Sequence, residues 1–403
     1  MNSAVMVERA RILSQTQFAP NAARIDQEEI YPWDNVQALA DAGLAGMTIP
    51  KDQGGLGIDW LTTIQAVEEV AKGCTVTARI LVECNLGAIA AIMRYGTQAQ
   101  RARAADLVLQ GDKPAICITE PGAGSAATSM TTTAQETVDG FVINGTKHWI
   151  TGGGVSKLYL IFARLIDRLG HDRGIAGFMT VAGDAPGLII AQREPTMGIR
   201  GMPEARIELR DLKLPKTALL ADTNSQPYGF KALMSAYNSQ RTGAAAVALG
   251  LAQAAFELAR DFVIEREQFG RPLAEFQGLQ WMLADMSVQI EAARALLYRA
   301  AASDVDGFPD PQLAAHAKIM ASETAVKVTN DALQMHGAQG YSRNCAAERL
   351  VRDARMFTIG GGTAQILRNL VASNILQRKL PQTRDGYAVM AESTPVPLGI
   401  AAE

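Results

Sequence analysis

The chain has 403 residues, 48% of them hydrophobic and 20% charged, with a formal net charge of −3 and a pI of about 5.9. This length predicts two or three domains, and the nearly balanced charge excludes the basic surface that nucleic acid or an anionic membrane requires. No run of apolar residues reaches the ~18 to 20 that a membrane-spanning helix needs, and residues 1–15 are too charged for a signal peptide. We therefore expect a cytoplasmic protein without nucleic-acid or membrane partners.

The four cysteines and four histidines show no spacing that is typical of a metal site. None of the cysteines forms a C-x-x-C pair, and no two histidines are four residues apart. We expect the cysteines to be reduced, and we expect no bound metal.

Residues 1–112 are predicted to form an N-terminal helical domain. In DNVQALADAGL, Asp34 is a candidate N-cap, apolar residues follow at helical spacing, and Gly43 ends the pattern. The stretches LTTIQAVEEVAK and AQRARAADLVLQG repeat it.

Residues 113–225 are predicted to form a middle β domain. In FVINGTKHWITGG, Asn144 and Gly145 stand between alternating runs, which predicts a hairpin turn. Four more strand-like runs follow, LYLIFARL, GIAGFMTV, GLIIAQ and ARIELRDLKL. We expect seven or eight short strands arranged as a barrel or sandwich, in a protein of the α+β class.

Residues 226–390 are predicted to form a C-terminal four-helix bundle, and residues 391–403 a frayed tail. Four long helical patterns begin near residues 239, 276, 311 and 363, and Pro272 interrupts the first two. Alanine occupies many of their positions, which lets helix axes approach closely.

Five stretches, by their order and separation, resemble the acyl-CoA dehydrogenase family over nearly the whole chain. They are CITEPGAGS (117–125), WITGG (149–153), REQFGRPLAEFQ (266–277), LQMHGAQGY (333–341) and RDARMFTIGGGTAQIL (352–367). Each also has a simpler interpretation: a glycine-rich loop, a core tryptophan, or a solvated bend at Pro272. The resemblance implies an acyl-CoA substrate, bound FAD, and a homotetramer in which a neighbouring subunit completes each FAD site.

The site residues in this paragraph are those that the resemblance implies. For FAD they are Ile116, Ile118, Thr119, Gly124, Ser125, Trp149, Thr151, Arg266, Gln268, Phe269, Gln277, Gln334, Gly337, Thr363 and Gln365. For the substrate they are Arg79, Ser125, Asn238, Gln240 and Arg241, with Arg79 and Gln240 as the catalytic pair.

The chain lacks the family's catalytic base. Ordinary members read Ile-Tyr-Glu-Gly-Thr at positions 359–363, and the glutamate removes the proton α to the thioester; here that position is Gly361. Some relatives place the base before the arginine of the first bundle helix, but this chain has Gln240 there, and an amide is no base. Glu83 and Glu120 stay open as non-standard bases, although Glu120 fits better as a loop cap.

Arg79 interrupts the apolar stretch KGCTVTARILVECNLGAI (72–89). Its guanidinium could clamp a carboxylate or sulfinate at the end of a short acyl chain, or form an i, i+4 salt bridge with Glu83 on a surface face.

An arginine and a glutamine in these positions, without the glutamate, are similar to a sulfite-releasing branch of the family. The resemblance implies a hydrolase that acts on a carbon–sulfur bond and converts 3-sulfinopropanoyl-CoA and water into propanoyl-CoA and sulfite. The alternatives are an FAD-dependent dehydrogenase of a short anionic acyl-CoA, which would use a non-standard base and an electron-transfer flavoprotein partner, and a non-catalytic scaffold.

Overall fold

The computed structural model describes residues 3–184, 186–222, 226–378 and 380. Helices, then a sheet, then further helices follow one another along the chain, which confirms the predicted α+β class. The tail predicted at residues 391–403 lies outside the described residues.

Seven α-helices form the N-terminal part. They are α1 (Ser3–Leu13), α2 (Ala19–Glu28), α3 (Trp33–Asp41), α4 (Trp60–Gly73), α5 (Thr75–Asn85), α6 (Ala88–Tyr95) and α7 (Gln98–Leu109), with a π-helical turn at Ser14–Phe18 between the first two. Asp34 is not the N-cap that we predicted, because the helix begins before it. The Pro32 carbonyl accepts the Val36 N–H at 3.0 Å, so Pro32 is the N-cap and Asp34 lies within the first turn. Gly87, at φ 64°, makes the sharp connection between α5 and α6.

The middle part contains seven strands in one sheet. They are β1 (Ala115–Cys117), β2 (Thr133–Glu136), β3 (Gly140–Thr151), β4 (Leu158–Ile166), β5 (Asp172–Val181), β6 (Leu188–Arg193) and β7 (Glu204–Pro215). From one edge to the other, β5 pairs with β4, β4 pairs with β1 and β2 in succession, and β3, β7 and β6 follow. The predicted barrel or sandwich is thus a single sheet whose edges are β5 and β6.

The hairpin predicted at Asn144 and Gly145 is wrong. Both residues lie inside β3, which pairs with β2 on one side and β7 on the other. The register with β7 shifts between Ile143 and Gly145, and the Asn144 amide donates to the Asp211 carboxylate at 3.1 Å. The Asn-Gly pair therefore forms a bulge, because neighbouring strands supply partners on both sides of the chain.

Five helices, one more than predicted, form the C-terminal part that the structure describes. They are α8 (Phe230–Glu265), α9 (Gln277–Ala301), α10 (Pro311–His336), α11 (Ala346–Met356) and α12 (Ala364–Ile375). Helix α11 was missed because five of the eleven residues in its sequence, AAERLVRDARM, are charged, and it buries only a narrow face that includes Leu350 and Ala354. A two-stranded ribbon, β8 (Glu267–Gln268) and β9 (Arg271–Pro272), fills the predicted break.

The N-terminal helices and the bundle share one apolar core. Helix α4 packs so tightly on α8 that a Cβ on Gly250 would lie 2.3 Å from the Glu68 carbonyl oxygen. The stretches Thr75–Tyr95 and Phe230–Glu265 are long and apolar enough to cross a membrane, contrary to our sequence estimate, but 94% and 72% of their apolar windows are buried in the protein. Both are typical of core helices in a folded domain.

Candidate active site

A cavity of about 640 Å³ lies where the helical parts and the sheet meet. Helix α5, the sheet, helix α8 and the turn before α12 all contribute to its walls. Ten residues predicted from the sequence line it: Arg79, Ile116, Ile118, Thr119, Gly124, Ser125, Trp149, Thr151, Gln240 and Thr363.

The other predicted site residues lie elsewhere in this single chain. Asn238 and Arg241 are on α8 beside the lining. The remaining seven are exposed, away from the cavity: Arg266, Gln268, Phe269, Gln277, Gln334, Gly337 and Gln365. Their predicted role, contact with a cofactor held by a neighbouring subunit, stays a prediction.

Of the two interpretations of Arg79, the salt bridge with Glu83 is present, and the clamp on a substrate anion stays a prediction. Arg79 Nη2 lies 2.8 Å from Glu83 Oε1, one helical turn away. The pair is not on a surface face, since Arg79 is 8% exposed and Glu83 6%, and both line the cavity. Arg79 Nε has no hydrogen-bond partner among the described residues. One donor of a buried guanidinium is therefore left for an acceptor that the described part of the chain does not supply.

Glu83 is held by three donors. Lys113 Nζ binds its Oε2, while Arg79 Nη2 and, at 3.3 Å, Gln240 Nε2 bind its Oε1. Lys113 Nζ also donates to the Thr151 carbonyl at 2.8 Å. Two cations and an amide therefore occupy lone pairs on both carboxylate oxygens. Glu83 thus organises the cavity wall and is poorly placed to remove a proton from a substrate.

Gln240 has one free group as well. Because its Nε2 donates to Glu83, its Oε1 is the acceptor, and this oxygen has no partner among the described residues. This oxygen lies close to the α5–α6 connection, because a Cβ built on Gly87 would be only 2.3 Å from it. The Ser239 hydroxyl accepts the Gly87 N–H at 3.1 Å and fixes this approach. The amide oxygen is thus held in a fixed position and lacks a hydrogen-bond donor within the described part of the chain.

Positive charge is concentrated behind Gln240. Burial lowers the pKa of Arg241, whose recorded polar contact is the Asn238 side chain at 2.8 Å. Burial, together with Arg241 and Arg79, lowers the pKa of Lys318 to about 7. Burial is the main cause of both shifts, and for Lys318 the positive charges of Arg241 and Arg79 add to it. An anion in the cavity would be stabilised there.

The glycine turn before α12 leaves open space and carries no side chain that could act as a base. Gly361 and Gly362 have φ values of 74° and 90°, which favour glycine, and nothing lies within 4 Å of a Cβ built on Gly361. Lys318 Nζ donates to the Gly362 carbonyl at 2.6 Å. The Thr363 hydroxyl accepts the Ile366 N–H at 3.1 Å and caps α12. The turn is therefore well ordered, and no carboxylate points from it into the cavity.

Trp149 forms an aromatic wall opposite the helices. A register shift between Lys147 and Ile150 lets it adopt φ 57°, a conformation that favours glycine, and 53% of the residue remains exposed. Its ring stacks on that of His148, with centroids 4.9 Å apart. Strained backbone of this kind persists where the surroundings hold a side chain in a functional position.

Sequence reasoning missed six ionisable groups at or beside the cavity: Lys113, Glu204, Tyr237, Lys318, Arg352 and Arg355. Glu204 opens β7, in the stretch GMPEAR, and the Thr151 hydroxyl lies 2.9 Å and 3.0 Å from its two oxygens. Burial raises the pKa of Glu204 to about 7, although Arg79 and Thr151 lower it. The sequence feature that could have indicated Glu204 is a carboxylate directly after a proline, at the start of a strand.

Glu120 is engaged within its own loop, as its cap-like position suggested. It accepts hydrogen bonds from the Thr131 and Thr132 N–H groups at 2.7 and 3.0 Å and from Lys147 Nζ at 2.9 Å. Burial raises its pKa, but these donors outweigh burial and lower the pKa to about 2. Such a carboxylate is too weak a base to serve the cavity.

Three family models match consecutive parts of the chain. The acyl-CoA dehydrogenase N-terminal domain matches residues 3–112, the middle domain 115–212 and the C-terminal domain 228–376.

Curated relatives and solved structures are similar over most of the chain. A 3-sulfinopropanoyl-CoA desulfinase from Variovorax paradoxus is 58% identical over 95% of this chain and 96% of its own length. A mitochondrial short-chain specific acyl-CoA dehydrogenase from Bos taurus is 36% identical over 92% and 89% of the two chains. The structure of butyryl-CoA dehydrogenase from Megasphaera elsdenii superposes with a TM-score of 0.87, at 33% identity, over 93% and 98%.

Proposed function

Because the chain belongs to the acyl-CoA dehydrogenase family, we propose that it uses this family's scaffold to convert 3-sulfinopropanoyl-CoA and water into propanoyl-CoA and sulfite. The reaction is a hydrolysis of a carbon–sulfur bond. The observation that carries the proposal is a pair of unsatisfied buried atoms on two residues that line the cavity: a donor, Arg79 Nε, and an acceptor, Gln240 Oε1. Glycine at position 361 removes the carboxylate that dehydrogenation needs.

Arg79 binds the sulfinate in this proposal. Its Nη2 is anchored by Glu83 at 2.8 Å, which leaves Nε for a sulfinate oxygen. The planar guanidinium fits a two-oxygen anion. By drawing negative charge from the sulfur towards the bound oxygen, it makes the sulfur more susceptible to attack by water.

Gln240 orients the attacking water. Its Oε1 needs a hydrogen-bond donor, and a sulfinate has none, whereas water has two O–H groups. Glu83 Oε1 accepts from both the Gln240 amide nitrogen at 3.3 Å and Arg79 Nη2 at 2.8 Å, so the two side chains lie beside each other in the cavity wall. The two side chains thus bind the two reactants beside each other, which lowers the entropy cost of the step.

The cavity fits the flavin that the family binds. The half-exposed Trp149 ring offers a stacking face, and the hydroxyls of Thr119, Ser125 and Thr363 line the same wall. Gly124, like Gly361, has nothing within 4 Å of its Cβ position, so the wall is open to a large planar group. Bound FAD supplies ribityl hydroxyls that polarise the thioester carbonyl. The exposed Arg266, Gln268 and Gln334 would contact the FAD of a neighbouring subunit in a cytoplasmic homotetramer.

One experiment tests this function. The FAD-loaded enzyme is mixed anaerobically with 3-sulfinopropanoyl-CoA while the flavin spectrum and free sulfite are followed together. We expect stoichiometric sulfite while the flavin stays oxidised, and no bleaching on addition of propanoyl-CoA. Bleaching without sulfite would identify a dehydrogenase of a short anionic acyl-CoA. Neither signal, with FAD still bound, would identify a non-catalytic scaffold.

A further inference from the structure

Glu204 is a second carboxyl group in the cavity, on strand β7, whereas Glu83 is on helix α5, and the chemistry above gives it no role. We propose that Glu204 donates the proton that the β-carbon of the acyl chain receives when the carbon–sulfur bond breaks. The inference rests on the proposed function and adds a third catalytic residue to it.

The structure holds the Glu204 carboxyl in a fixed position. Thr151 is its register partner on the neighbouring strand β3, and the threonine hydroxyl lies 2.9 Å and 3.0 Å from its two oxygens. The Glu204 carbonyl also accepts the Glu194 N–H at 2.7 Å. The Thr151 carbonyl in turn accepts from Lys113 Nζ at 2.8 Å, which ties this wall to the group that anchors Arg79.

The surroundings of Glu204 suit an acid rather than a permanent anion. The charged or titratable groups that face it are Arg79 and Glu83 on α5, Lys113 before β1, and Tyr237 on α8. No cation lies within salt-bridge distance of Glu204 among the described residues, whereas Glu83 has two. Burial therefore raises the pKa of Glu204 to about 7, so that its protonated form is populated near neutrality.

The step balances with water as the only co-reactant. The water oxygen forms a bond to sulfur, and the carbon–sulfur bond breaks with its electron pair passing to the β-carbon. That carbon takes the Glu204 proton and becomes the methyl group of propanoyl-CoA. One water proton returns to the Glu204 carboxylate, and sulfur leaves as hydrogen sulfite. Carbon is reduced and sulfur oxidised within the same substrate, and the acid is restored in each cycle.

The test uses the FAD-loaded full chain and measures sulfite release against pH. In the parent enzyme we expect kcat to fall as pH rises through about 7, because the acid form is lost. Glu204→Gln should lower kcat by about 10²- to 10⁴-fold and abolish this step, with FAD content unchanged. Glu204→Asp should recover part of the rate and the pH step. Glu208→Gln, the same change on the same strand beside Arg210, should leave both unaltered.

Each outcome decides the proposal. If Glu204→Gln keeps the parent rate, or if the parent enzyme shows no decline near pH 7, Glu204 is not the proton donor. The second criterion needs no variant and applies even if the substitution impairs folding. A parent enzyme that releases no sulfite at any pH overturns the function itself, which is a different result.

Discussion

Two buried carboxylates in this protein each form an ion pair with a buried lysine, but the groups around them differ. Glu83 binds Lys113 in the cavity wall, and Glu120 binds Lys147 within the sheet domain. The Glu120 group is closed: its two oxygens accept from Lys147 and from the Thr131 and Thr132 backbone. The Glu83 group is open to the cavity, because its partners Arg79 and Gln240 line the cavity and each keep a buried polar atom without a partner among the described residues. Beside Glu120, Thr132 Oγ1 also lacks a partner among the described residues, but neither Glu120 nor Thr132 lines the cavity.

The difference separates structural from functional ion groups. Leaving a buried polar group unsatisfied costs about 1–3 kcal/mol, so a folded protein retains such groups mainly where a ligand satisfies them. The Glu120 group needs no ligand and should affect stability alone. The Glu83 group should affect turnover more than stability.

Breaking the closed group should have the largest effect. Glu120→Gln removes the only carboxylate within salt-bridge distance of the fully buried Lys147 among the described residues, and it should lower the free energy of unfolding by about 3–5 kcal/mol. Chemical denaturation measures this value. The matched control is Glu323→Gln, whose partner Arg368 is half exposed, and a change below about 1 kcal/mol is expected.

The same variant should change the acid sensitivity of the fold. The pKa of Glu120 is lowered from 4.5 to about 2 on folding, so the stability that it contributes is complete above pH 4.5 and is lost as pH falls towards 2. Stability should thus decline less between pH 5 and 3 in Glu120→Gln than in the parent. An equal decline in both proteins would contradict the ion pair described here.

Removing the charge from the open group should affect turnover next most strongly. Arg79→Gln should slow sulfite release by roughly 30- to 4,000-fold, because the loss of a buried charged partner costs about 2–5 kcal/mol. Arg79→Lys should recover little, since an ammonium lacks the planar fork. Arg103→Ala, at an exposed arginine on α7, is the control. An unimpaired Arg79→Gln enzyme would remove Arg79 from the mechanism.

Gln240→Leu should have an intermediate effect. The change removes the acceptor that orients water but keeps the shape of the side chain, and a loss of about 1–3 kcal/mol predicts a roughly 5- to 140-fold slower turnover. Because Arg79 remains, KM should change less than kcat. Steady-state kinetics of sulfite release separates the two parameters. A variant with raised KM and unchanged kcat would show that Gln240 binds substrate only.

The smallest effect should come from removing one hydroxyl group from the surroundings of Glu120. Thr131→Val removes one hydroxyl that donates to Glu120 at 2.9 Å and leaves the backbone donors in place. We expect a loss of about 0.5–1.5 kcal/mol in the free energy of unfolding and an unchanged rate of sulfite release. A large kinetic effect would mean that the two groups are coupled.

The sequence predicted those parts of the molecule that depend on local pattern. The α+β class, the family and the glycine turn at Gly361 all follow from periodicity and short motifs, and Arg79 was recognised because it interrupts an apolar run. The bulge at Asn144 was misread because its meaning depends on strands on both sides. Glu204 was missed for a similar reason: only the pairing of β3 with β7 places it beside Thr151.

The cavity also takes its chemistry from three separate parts of the chain. Arg79 comes from the N-terminal helices, Glu204 and Thr151 from the sheet, and Gln240 and Gly361 from the bundle. No fragment comprising one or two of these parts can therefore assemble the reaction centre. Sulfite production consequently reports completion of the whole tertiary structure, and circular permutation or limited proteolysis between segments can be scored by enzymatic recovery alone.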